Sequence, residues 1–120
     1  MADDPTYRWN WKPITQGNTR PGTNFTETSS TSALTAVEVR LKLPDSTVAD
    51  ITLTSADGIT INSATAGAWD FDIDEIPAAT TDGYTPGIYS YEMDVTESSG
   101  TVTTILKGSW EIFERIQDAP

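Results

Sequence analysis

Apolar residues recur at every second position along most of this chain and nowhere keep the 3.6-residue spacing of a helix over ten or more residues, which confines the fold to strands. From Ala36, the residues Val37, Val39, Leu41 and Leu43 fall on one side and Glu38, Arg40 and Lys42 on the other, as in a strand with one buried face. Pro44-Asp45-Ser46 stops that run. Ile51 and Leu53 then alternate with Thr52 and Thr54, Ser55-Ala56-Asp57-Gly58 supplies a turn, and Ile59 and Ile61 begin the next strand. Trp69, Phe71 and Ile73 alternate with Asp70, Asp72 and Asp74, the clearest inside/outside pattern in the chain. Pro77, Gly83 and Pro86 leave room for at most one helical turn, around Ala78 to Thr81, before the chain extends again. Tyr89, Tyr91, Met93 and Val95 face away from Ser90, Glu92, Asp94 and Thr96; after the Glu97-Ser98-Ser99-Gly100 turn, Val102, Thr104, Leu106, Gly108, Trp110 and Ile112 run back. Residues 88–96 and 101–113 thus read as a long hairpin, with Gly108 marking a bulge or a close backbone approach.

Near the start, Tyr7, Trp9 and Trp11 alternate with Arg8 and Asn10 and give one more strand. About seven short strands with turns every 8–12 residues predict an all-β, immunoglobulin-like antiparallel β-sandwich. Threonine, a strand-favouring type, makes up 20 of the 120 residues and agrees with this. The alternation places Trp69, Phe71, Tyr89, Tyr91, Met93, Leu106 and Trp110 in the core. Three stretches of a single domain are expected: an N-terminal strand in 1–12, an extended loop or assembly arm in 13–35, and the sandwich body in 36–115. In 13–35 Thr, Ser, Asn, Gly and Pro crowd together, and a segment with so few large apolar groups is expected to stay mobile on the isolated subunit. Its apolar anchors, Ile14 and Phe25, are the interface candidates, placed to add a strand to a neighbour's sheet edge or to seat a ring in a partner's groove. Deleting residues 17–31 is then expected to spare the isolated domain and abolish assembly.

Composition removes most chemistry. The chain has no Cys and no His, which excludes disulfides, thiolate catalysis, Cys-ligated zinc and the usual general base. With 7 Lys and Arg against 18 Asp and Glu, a net charge of −11, a nucleic-acid partner is not expected, because phosphate neutralisation needs clustered cations. No apolar run approaches the ~20 residues of a membrane span, and the acidic Met1-Ala2-Asp3-Asp4-Pro5 is unlike a signal peptide, so neither a membrane nor a secretory route is expected. The Asp70, Asp72, Asp74 ladder is the densest acidic cluster. Carboxylates on alternate residues of a strand stand ~7 Å apart, whereas Ca²⁺ needs several oxygens converging at about 2.3–2.6 Å. The ladder is therefore read as a solvated strand face, with these three Asp as the Ca²⁺ candidates should a metal be held at all. Glu92, Asp94 and Glu111 could pair as glycosidase-type carboxylates, but their outward positions offer no pocket to separate their pKa values. No catalytic residue and no cofactor is assigned, and an enzyme is not expected. Among eleven aromatics, exposed rings could stack on sugars, which keeps a carbohydrate-binding or adhesin-like module as an alternative.

The succession Thr35-Ala36-Val37-Glu38-Val39-Arg40-Leu41-Lys42, Gly58-Ile59-Thr60-Ile61, Pro86-Gly87-Ile88-Tyr89-Ser90-Tyr91-Glu92-Met93-Asp94-Val95, Ser99-Gly100 and Thr104-Ile105-Leu106-Lys107-Gly108-Ser109-Trp110-Glu111-Ile112 resembles a family of tailed-bacteriophage structural domains, in particular the N-terminal immunoglobulin-like domain of the baseplate upper protein family. The resemblance spans about residues 33–114. It implies a non-enzymatic virion protein of the tail, baseplate or fibre-attachment region, located in the particle, with other virion proteins as partners and copies of itself in a ring or lattice. A decoration protein on the capsid is the alternative within the same class.

Overall fold

The computed structural model describes residues 7–116, with Tyr7 and Arg8 described by their backbone alone. Nine strand segments and one helical turn follow in the order β1 (Tyr7–Arg8), β2 (Ile14–Thr15), β3 (Thr23–Glu27), β4 (Leu34–Lys42), β5 (Ile51–Thr54), β6 (Ile59–Thr65), β7 (Ala68–Ile73), α1 (Ala78–Thr81), β8 (Gly87–Glu97) and β9 (Val102–Phe113). They make two sheets: a six-stranded one in the order β1-β9-β8-β4-β5, with β2 also on β9, and a three-stranded one in the order β3-β7-β6. The sheets face one another across an apolar interior, and their strand orders are those of an immunoglobulin-like sandwich. Tyr89 makes the corner typical of such domains: near the start of β8, its hydroxyl donates to the Thr85 carbonyl oxygen at 2.5 Å. All pairings are antiparallel except those of β1 and β2, which run parallel to β9.

Each residue assigned to the core by alternation is buried: Trp69, Phe71, Tyr89, Tyr91, Met93, Leu106 and Trp110. Trp11 joins them, its ring 5.2 Å from that of Trp110 and 4.9 Å from that of Tyr91. Aromatic pairs at these spacings gain something beyond the burial of their area, and together they fill the centre in a chain without cysteine. The hairpin of β8 and β9 turns at Gly100, whose φ of 91° suits glycine. The helical turn α1 sits between Pro77 and Gly83, where the prolines and glycine left room for it.

Gly108 marks a close approach rather than a bulge. The chain after β1 continues along β9, with Trp9 N donating to Lys107 O and Trp11 N to Ser109 O, both at 2.9 Å. A Cβ on Gly108 would overlap the Trp9 carbonyl oxygen. The bulge lies three residues away, where Met93 faces Leu106 but Asp94 faces Thr104, leaving Ile105 as the extra residue.

Residues 13–35, expected to form an extended loop or assembly arm, contain two paired strand segments. β2 pairs Ile14 with Ile112 and Thr15 with Phe113, β3 forms an edge of the smaller sheet with Phe25 opposite Phe71, and Arg20 bridges to Ile76. The segment holds only a few large apolar groups, but each is placed on a pre-existing surface, so the sandwich body supplies the burial that the segment could not supply for itself. The same two segments account for the excess over seven strands.

Candidate functional site

Three surfaces carry the chain's polar chemistry. The first is the outer face of the smaller sheet, where β7 is central and presents Asp70 and Asp72 between β3 and β6. Register places Asn24 opposite Asp72 on one side and Thr60 opposite it on the other. The Asn24 amide Nδ2 donates to Oδ1 of both Asp70 and Asp72 at 2.6 Å, and the Asn62 Nδ2 donates to Asp70 Oδ1 at 3.2 Å and Asp72 Oδ2 at 3.1 Å. Hydrogen bonds first from Asn24 and then from Asn62 hold the Asp72 carboxyl below its ordinary range. Asp74 accepts from Thr60 Oγ1 at 2.7 Å. The carboxylates are bridged by amide and hydroxyl donors from neighbouring strands, and among the described residues no three Asp, Glu, His or Cys converge as a metal site would require.

The second surface is a groove of about 540 Å³ on the outer face of the larger sheet, lined by Arg40, Lys42 and Lys107 together with Ser90, Glu92 and Val48. One cross-strand row reads Thr52, Arg40, Glu92, Lys107, with the backbone of Arg8 next in register. Three of the seven basic residues thus meet here in a chain of net charge −11. Arg40 is answered on its own sheet: it ion-pairs with Asp94, with Glu92 at 3.5 Å and with Glu38 at 3.8 Å. The exposed pairs with Glu92 and Glu38 are worth about 0–1 kcal/mol each and serve mainly to order the face. Of the three carboxylates considered for glycosidase chemistry, Glu92 lines the groove, Asp94 is engaged by Arg40 and by Thr104 Oγ1 at 2.5 Å, and Glu111 stands opposite Ile88. Of the three, Glu92 alone lines this groove.

The third surface lies where the N-terminal segment crosses the body. Ile14 and Phe25, the interface candidates, both pack half-buried against the core. Phe25 stacks on Phe71 with ring centroids 5.5 Å apart and meets Trp9 edge-on at 5.8 Å. Both anchors are used inside the chain. Beside them the structure buries Arg20, with its guanidinium 3.8 Å over the Trp11 ring, and Tyr91, whose hydroxyl donates to the Trp9 carbonyl oxygen. Burial pushes the Tyr91 phenol up to about 12 and draws Arg20 down to about 10.

The acidic ladder was legible from alternation. The groove was not, because Arg40 and Lys107 meet only through the register of three strands. Arg20 had one sequence signal, an arginine alone in a stretch of Thr, Asn, Gly and Pro.

No family model matches the chain, and no curated protein matches it. Among solved structures it is similar to a family 123 glycoside hydrolase from Clostridium perfringens, described for the details of glycolipid glycan hydrolysis, at 15% identity and a TM-score of 0.48, over 92% of this chain and 23% of that one. The chain spans less than a quarter of that protein's length.

Proposed function

We propose that this chain is a non-enzymatic structural component of a tailed-bacteriophage virion, in the tail, baseplate or fibre-attachment region, acting through protein–protein contacts of its sandwich. The observation that carries the reading is that three of the segments behind the family resemblance make up the larger sheet's central hairpin and its neighbour: Thr35 to Lys42 lies within β4, Gly87 to Val95 within β8 and Thr104 to Ile112 within β9, while Ile59 to Ile61 opens β6 of the smaller sheet. These strands present a broad, charge-laced outer face. A wide face of interleaved charges suits register-specific docking of protein on protein, because opposed charges fix orientation more than they add affinity. Repeated copies would use such a face in a ring, since a heterologous contact closes when the rotation permits. The absence of His and Cys from the sequence also leaves few groups for acid–base or nucleophilic work.

The test is particle association. Antibody against the chain should label intact particles purified on a density gradient, at one end of the tail and in a few to a few dozen copies. Labelling spread over the head, in hundreds of copies, would move the assignment to a capsid decoration protein. A chain absent from purified particles would overturn the virion reading, and saturable binding to arrayed glycans would then favour the adhesin-like alternative.

A further inference from the structure

The loop between β2 and β3 folds Arg20 into the protein, where it is 5% exposed. Its Nη1 donates to the Pro21 carbonyl oxygen at 2.9 Å and its Nη2 to Thr23 Oγ1 at 3.4 Å, so two of five N–H donors are engaged, both by neutral acceptors. The backbone N–H and carbonyl of Arg20 exchange hydrogen bonds with Ile76, which fixes the loop. Among the described residues no carboxylate forms an ion pair with Arg20 or with Lys12. That is unexpected in a chain with 18 acidic side chains, because a buried cation is costly unless an anion answers it. The Trp11 ring beneath the guanidinium offsets only part of that cost.

Beside this cation a notch of about 170 Å³ opens, lined among others by Trp9, Trp11, Lys12, Arg20 and Thr23. Its side chains offer a guanidinium, an ammonium, a hydroxyl and two indoles, and no carboxylate. The Trp11 indole is buried with its N–H against the Tyr91 phenol, so it offers the notch its ring face. Lys12 is exposed, and Trp9 is 41% exposed, so the notch is open to solvent. Its volume takes the end of an Asp or Glu side chain or a short free carboxylate, and is well below the few hundred Å³ that a nucleotide-sized ligand needs.

The geometry points to a carboxylate-binding notch, in which an incoming carboxylate pairs with the free edge of the Arg20 guanidinium and with the Lys12 ammonium while its methylene stem lies on the Trp9 and Trp11 indoles. The planar fork of arginine is matched to a carboxylate's two oxygens, and lysine adds charge without a fixed direction. The notch belongs to the single chain, so its failure and that of the virion reading are separate results.

The test uses the four indole N–H signals of the ¹⁵N-labelled full chain, titrated with sodium propionate and, separately, with a short end-blocked peptide of alternating Glu and Gly. The matched Gln peptide and sodium chloride serve as controls. With at least one carboxylate probe, the Trp9 and Trp11 signals should shift saturably. The Trp69 signal, whose N–H donates to Ser32 O and which does not line the notch, should stay in place. Saturation by propionate assigns the site to small free carboxylates, and saturation by the peptide alone assigns it to an acidic protein segment; both support the notch. Affinity should fall about tenfold in Arg20→Lys, which keeps the cation but loses the fork, and several-fold in Lys12→Gln, an exposed change that leaves the core intact. Equal shifts with the Gln peptide or chloride, no saturable shift with either carboxylate, or unchanged affinity in both variants would overturn the proposal.

Discussion

At the scale of single residues, the centre of the sandwich depends on Trp110. Its ring is fully buried, packs on Trp11, Tyr84 and Tyr89 at centroid distances of 5.2, 6.2 and 6.5 Å, and its N–H donates to Lys12 O at 3.1 Å. Trp110→Ala leaves a void that these rings cannot all close, and should cost about 3–5 kcal/mol in a denaturant melt, much of the stability of an ordinary domain. A variant melting within a few degrees of the parent would show that the last strand does not bury this face. Gly108 tests a backbone contact instead. Its missing Cβ makes room for the Trp9 carbonyl, so Gly108→Ala should push the 9–11 segment off β9 and lose at least about 2 kcal/mol, with faster amide exchange at Trp9 and Trp11. Both residues were visible in the sequence, Trp110 by its place in an alternating strand and Gly108 by breaking one. Arg20 was not assigned there, because a loop residue's burial depends on which surface it lands on, and the alternation of Trp9 with Trp11 misled, since β1 ends at Arg8 and Trp11 is buried while Trp9 is largely exposed.

At the scale of elements, strands with long alternating runs were legible with their turns, because each fixes its own two faces within a few residues. β2 and β3 were not. Two residues of β2 carry no period, and in β3 only Phe25 is large and apolar, since the strand is an edge whose inward positions, Thr23 and Glu27, are only half-buried. What orders them is non-local: β2 takes its partners from β9 and β3 from β7. The acidic face of β7 was read correctly as a strand face, but the amides that bridge it come from β3 and β6, so its hydrogen bonding was hidden until those strands were paired. The element-scale prediction follows from this placement and reverses the one drawn from composition. Deleting residues 17–31 removes β3, the Phe25–Phe71 stack and the Arg20 clamp on Trp11, and should lower the melting temperature by about 10 °C or more, since losing roughly 2–3 kcal/mol shifts a domain of this size that far. A shift of only 1–2 °C would restore the reading of 13–35 as a mobile assembly arm.

At the scale of the whole molecule, charge and pH act together in an unusual way because the chain has no His and no Cys. No side chain has an ordinary pKa between about 5 and 8, and none of the groups displaced from their ordinary values is carried into that window. Arg20 falls to about 10, Tyr91 rises to about 12, and Asp50 and Asp72 move below 3.8. The melting temperature should therefore be flat from about pH 5.5 to 7.5. Below that range two effects oppose each other. Protonating exposed carboxylates relieves the self-repulsion of a chain carrying −11, a gain already limited by screening over ~8 Å at physiological salt. That gain ends near the isoelectric point of 4.1, where no excess negative charge is left to relieve. Asp72, held by Asn24 and Asn62, and Asp50, held by the Leu43 N–H and Ser46, have lowered folded pKa values, so their contribution is complete above the ordinary value of 3.8 and is lost as pH falls through the depressed ones. Below about pH 4 the loss is unopposed, and scanning calorimetry should show the melting temperature dropping there. Asp72→Asn removes one titrating partner and should shallow that acid limb. A melting temperature that rises steadily as pH falls from about 7 would mean that a carboxylate with a raised pKa governs the stability of the fold, and an acid limb unchanged in Asp72→Asn would mean that the amide-bridged face of β7 does not set its acid limit.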